Sequence, residues 1–148
     1  MTTLDDFQSA FRAASGMPFT HESLSFKNVA VVSDLDSGAA NDFTRQVGTL
    51  LDSALPYEHT LVSLCSDNFT SVSEMLTALK TLDPGADLIC TYRNLHNSGE
   101  NLPESLGSHI DVLTQRVDVP VLLLPRPDQS DLSNLSMKEV MVVTDHLS

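Results

Sequence analysis

Residues 27–37 read KNVAVVSDLDS. Val29–Ser33 form a continuous run rich in β-branched residues, as expected for a strand covered on both faces. Strands of that kind belong to parallel sheets sandwiched between helices. From Ala40 onward, Phe43, Val47, Leu50, Leu51 and Ala54 recur at helical spacing until Pro56 ends the segment.

The same alternation continues along the chain. His59–Leu64 (HTLVSL) reads as a second strand. Ser71, with Glu74 three residues later, forms a capping-box signature, and Val72, Leu76, Leu79 and Leu82 then make one apolar stripe. The turn Asp83–Gly85 (DPG) stops that helix, and Asp87–Cys90 (DLIC) opens a third strand. A polar loop with Asn97, Ser98, Gly99 and Pro103 follows. Leu106, Ile110, Leu113 and Val117 then predict a helix, and Val119–Leu124 (VPVLLL) a last strand. Single helices between strands imply right-handed crossovers and a doubly wound, open, mainly parallel α/β sheet.

The opening stretch has an echo. Residues 138–148 read KEVMVVTDHLS, matching 27–37 at Lys138, Val140, Val142, Val143, Asp145 and Ser148. The matched ends argue for a tandem duplication rather than a chance likeness between two Val-rich strands. The expected organisation is an N-terminal amphipathic helix extension over 1–26, built on Leu4, Phe7, Phe11 and Ala14, and one domain over 27–125. A Pro- and Ser-rich linker over 126–137 and the first strand of a truncated second copy over 138–148 complete it.

Composition narrows the function classes. The 148 residues carry 8 Lys+Arg against 20 Asp+Glu, a net charge of −12. Sequence-independent binding to nucleic acid or to an anionic membrane surface needs clustered cations, which this chain lacks. No apolar run approaches the roughly 20 residues of a membrane span. Cys65 and Cys90 show no metal-ligand spacing and read as buried, inert thiols in a reducing cytoplasm. His21, His59, His96, His109 and His146 are scattered, so neither a metal site nor a catalytic triad is indicated.

Three stretches together resemble the universal stress protein family. VAVVSDLDS is similar to the family's first strand with its acidic end. GADLICTYRN (85–94) resembles the segment G-A-D-L-I-hydrophobic-G-x-x-G, and LGSHIDVLTQRVDVPVLLLP (106–125) resembles the closing helix and strand. The resemblance spans about Lys27 to Pro125. It implies an adenine nucleotide α-hydrolase-like sheet with ATP or AMP bound beyond the carboxyl ends of the strands. Tandem members exist in that family, in keeping with the echo.

The resemblance also shows what this chain has changed. The family's phosphate loop, G-x-x-G, nine residues, then G-[S/T], uses glycines so that backbone N–H groups approach phosphate at a helix start. Here the first two glycine positions fall on Thr91 and Asn94; Gly107 and Ser108 keep the closing pair, after a longer gap that contains Glu100 and Glu104. The short interval from Cys65 to Asp87 holds one helix, so the sheet is expected to lack one strand–helix unit and keep four strands.

Carried over residue by residue, Asp34 matches the contact to adenine and ribose. Arg93, Gly107 and Ser108 surround the phosphate position. Plainer readings stand beside these: Asp36 or Ser37 as a helix cap, Gly107-Ser108 as an ordinary helix start, and Arg93 as a surface cation beside Glu100 or Glu104.

The expectation is a non-catalytic, stress-response domain with a degenerate nucleotide site and no firm cofactor. Its partner would be a second universal stress protein-like domain, as a homodimer or pseudo-dimer through Val119–Leu124. One alternative is an ATP- or AMP-binding domain with an atypical phosphate loop using Asp34, Arg93, Gly107 and Ser108. A lower one is a nucleotide-activating enzyme of the α-hydrolase type, whose glycine- and serine-rich loop is hardly present in SDLDSGAAND (33–42).

Overall fold

The computed structural model describes residues 25–97 and 105–135. The expected N-terminal helix, Glu100, Glu104 and the echo strand lie outside those residues.

Among the described residues, four strands form one parallel sheet: β1 (Asn28–Val32), β2 (Thr60–Leu64), β3 (Leu88–Thr91) and β4 (Val121–Leu123), in the order β2-β1-β3-β4. Val29, Ala30, Val31 and Val32 are all buried, as a central strand covered on both faces requires. β1 pairs with β2 from Asn28↔Thr60 to Val32↔Leu64, and with β3 from Val29↔Leu88 to Val31↔Cys90.

Three helices connect the strands: α1 (Ser37–Ala54), α2 (Val72–Lys80) and α3 (Ser108–Arg116). Asp36 caps α1 by accepting a hydrogen bond from the Ala39 N–H at 2.9 Å. The helix buries Ala40, Phe43, Val47, Leu50 and Leu51, while Ala54 at its end stays exposed. The predicted cap of α2 forms: Ser71 Oγ accepts from the Glu74 N–H at 3.1 Å. Glu74 reaches back one residue further than in a standard capping box, accepting from the Thr70 N–H at 3.2 Å.

The two faces of the sheet can be assigned from β3. Its neighbours Leu88 and Ile89 point to opposite sides, as successive strand residues must. Leu88 lines a groove with Leu51 and Leu55 of α1; Ile89 lines another with Leu76 and Leu79 of α2 and Arg116 at the end of α3. Helix α1 therefore covers one face and the α2–α3 pair the other, which is the doubly wound arrangement.

The stretch read as a linker folds back through residue 135. A short 3₁₀ turn at Leu132–Asn134 packs against α1, and Leu132 is 1% exposed within the main core. Leu132, one of two leucines in this polar, Pro-rich stretch, helps to dock it, because burying a leucine stabilises by about 1.5–3 kcal/mol.

Candidate functional site

In a doubly wound sheet the ligand crevice opens where consecutive connections leave a strand in opposite directions. Here that point lies between β1 and β3. The chain leaves β1 through α1 for β2, then crosses back through α2 to β3 on the other side. Asp34 follows β1 and Tyr92 follows β3, so both stand at the mouth of the crevice.

They close it together. The Tyr92 hydroxyl donates to Asp34 Oδ1 and accepts from the Asp34 N–H at 3.1 Å. The second carboxylate oxygen accepts from the His96 N–H at 2.9 Å and lies 3.8 Å from Arg126 Nη2. The Asp34 side chain is left 12% exposed. The Arg126 guanidinium stands 4.9 Å above the Tyr92 ring and donates from Nη1 to the Asn94 carbonyl at 3.0 Å. Tyr92 itself is fully buried, edge-on to Phe43 at 5.4 Å. Burial first, and the hydrogen bond to Asp34 second, push its phenol pKa well up, so the hydroxyl remains a donor.

The start of α3 is closed by different groups. Gly107 caps it with φ 94°, a left-handed backbone that suits glycine, and Ser108 is exposed as the first helical residue. The Gly107 N–H donates to Ser105 Oγ at 3.0 Å, and the Ser105 hydroxyl donates to Asp111 Oδ2 at 2.6 Å. Asp111 Oδ1 also accepts from the Leu106 N–H at 3.2 Å. A carboxylate of the chain thus complements the helix dipole at the place where a phosphate would do so.

Of the four residues expected at the site, Arg93, Gly107 and Ser108 come together. Arg93 is exposed and donates from Nη2 to the Ser105 carbonyl at 2.8 Å, and the Asn94 N–H donates to the Leu106 carbonyl at 2.8 Å. Asp34 instead belongs to the cluster of Tyr92, His96 and Arg126. At the two positions where the resemblance would place glycine, Thr91 donates its hydroxyl to the Val32 carbonyl at 2.9 Å, tying β3 to β1, while Asn94 adopts a positive φ of 62°.

Sequence reasoning missed Tyr92, Ser105, Asp111 and Arg126. A signal was available for Arg126, one of only eight Lys+Arg in the chain. Its neighbours Pro125 and Pro127 gave the stretch the look of a linker.

His96 and His109 are packed near Phe69, their ring centroids 5.1 Å apart. His109 Nε2 donates to the Thr70 carbonyl at 2.8 Å. Among the described residues no group of three or more His, Cys, Asp or Glu is placed to hold a metal ion. Cys65 and Cys90 are buried free thiols, and burial pushes the Cys90 thiol up to about 12, far from a reactive thiolate. No described helix is long and apolar enough to cross a membrane.

Compared with known proteins, the chain matches no family model, no curated protein and no solved structure.

Proposed function

We propose that this chain is a non-catalytic, universal stress protein-like domain that acts by association in a stress response, its nucleotide crevice given over to internal contacts. The observation that carries this reading is Asp111. Its carboxylate, with Ser105, takes up the Leu106 and Gly107 N–H groups at the start of α3. Those backbone donors are what a nucleotide phosphate would need, and a carboxylate beside them repels one. Titration calorimetry with ATP and Mg²⁺, then with AMP, tests it: neither binds at millimolar ligand. Binding at micromolar affinity, about −8 kcal/mol, overturns the closed-crevice reading and restores an ATP- or AMP-binding domain.

The association surface is the β4 edge. Pro120 accepts from the Ile89 N–H, and the Leu124 N–H donates to the Thr91 carbonyl. By the alternation of a parallel ladder, the backbone groups of Val121 and Leu123 face away from β3, with no strand beside them among the described residues. Leu123 is 40% exposed, and an apolar groove runs along each face of the sheet beside the edge. An apolar edge of this kind invites pairing with the same strand of a second copy. Light scattering at tens of micromolar is expected to give a dimer, and Leu123→Lys a monomer. A monomeric wild type removes this surface as the interface.

A further inference from the structure

The crevice between β1 and β3 has the opposite polarity to a phosphate site. Every group that Arg126 meets there accepts hydrogen bonds or attracts a cation. The Asp34 carboxylate lies 3.8 Å from Nη2, the Asn94 and Arg93 carbonyls stand 3.0 Å and 3.5 Å from Nη1, and the face of Tyr92 lies 4.9 Å from Cζ. A planar fork that donates at its edge and stacks on its face is what such a set fits, and an ammonium group does not reproduce it.

A second observation points the same way. Among the described residues, the buried side-chain polar atoms without a partner are Ser33 Oγ, Asn94 Oδ1, His96 Nε2 and His109 Nδ1. All belong to segments at this carboxyl end of the sheet. Asn94 Oδ1 can only accept, and Ser33 Oγ can accept as well. This end of the molecule therefore has acceptors to spare, in a chain of net charge −12.

Arg126 is attached in a way that allows release. Leu124 is tied to β3 by its backbone, and Leu132 is anchored in the core. Between them, among the described residues, the side-chain hydrogen bonds that join this turn-containing strap to the body all come from Arg126. Its Nε is turned the other way, to Asp128 of the same strap.

We propose that this crevice is a guanidinium-recognition pocket, filled in cis by Arg126, which accepts the guanidinium of a ligand when the strap over residues 125–131 lifts. The pocket occupies the same crevice, so the inference rests on the reading that no nucleotide fills it; calorimetry with ATP or AMP tests that reading, and the agmatine comparison below tests the pocket.

Chemical replacement of the missing side chain tests it on the full chain. Arg126→Gln keeps part of the stem and removes the guanidinium. Agmatine is expected to bind this variant at least about tenfold more tightly than the wild type, in which the cis guanidinium competes. Binding is read by calorimetry and by shifts of the Asn94 and His96 amide resonances. Cadaverine, an amine of similar reach, is expected to bind several-fold more weakly, and Asp34→Asn in the Arg126→Gln background to abolish the agmatine effect. A Gly-Arg-Gly peptide distinguishes the source: binding comparable to agmatine favours an arginine from another protein, and agmatine alone favours a free small molecule. Equal agmatine binding by wild type and variant, or none by the variant, overturns the proposal. Should Arg126→Gln fail to fold, the wild type carries the test. Millimolar agmatine must then move the Arg126 Nε–H resonance to its free-arginine position at matched salt, and an unmoved resonance overturns the proposal.

Discussion

Tyr92 shows how one side chain can close a site and set a pH dependence. Its ring fills the core against Phe43 while its hydroxyl holds both the carboxylate and the N–H of Asp34. Burial keeps the Tyr92 phenol and the Cys90 thiol neutral in the folded chain. Above about pH 9 the unfolded chain loses these protons while the folded chain retains them, so folding stability falls as pH rises. Urea melts between neutral pH and the alkaline range are expected to show a full plateau below that point and a decline above it. Tyr92→Phe is expected to flatten the decline, and to cost about 1–3 kcal/mol at neutral pH by leaving Asp34 short of a donor. A decline of unchanged slope in that variant would show that Tyr92 does not contribute to it.

The secondary elements are where the chain was most legible. The buried run of β1, the 3.6-residue spacing of Phe43, Val47, Leu50 and Leu51, and the Ser71–Glu74 cap each depend on residues within a turn or two of one another. Boundaries were less legible. Helix α1 begins at Ser37, ahead of the first apolar residue of its stripe, because the cap and not the stripe starts the helix. Asp36→Ala therefore is expected to lower stability by about 1 kcal/mol in a denaturant melt, with the far-ultraviolet spectrum of the folded state preserved. A loss below a few tenths would mean that water satisfies the Ala39 N–H equally well. The ends of the strands are set locally too: β4 begins at Val121, just after Pro120, which has no N–H to give to a ladder.

At the scale of the whole molecule, a segment expected to connect domains becomes part of this one. Leu132 secures the C-terminal strap against α1, and Arg126 reaches from it into the mouth of the sheet. Leu132→Ala is expected to cost about 2–4 kcal/mol in urea unfolding, as truncation of a buried leucine does. It should also raise proteolytic cleavage within 125–135 relative to wild type. A loss under half a kcal/mol would show the strap to be docked by Arg126 alone. The two halves of the candidate site differed in legibility for the same reason. Gly107-Ser108 could be located because a helix start has local chemistry, whereas the partners of Asp34 come from β3, its following loop and the strap, all distant in sequence.

The order of strands and helices, their parallel pairing and the positions of the caps were determined by the sequence alone, since periodicity, turns and capping are local. The expected resemblance to a nucleotide-binding family rests on short local motifs alone. Only the tertiary structure decided which side chains meet at the mouth of the sheet. The crevice is built by segments that meet only after the sheet has formed, and the choice of Arg126 and Asp111 as its occupants follows from three-dimensional proximity. A carboxylate at the end of β1 and an arginine between two prolines say nothing of each other until the chain brings them to 3.8 Å.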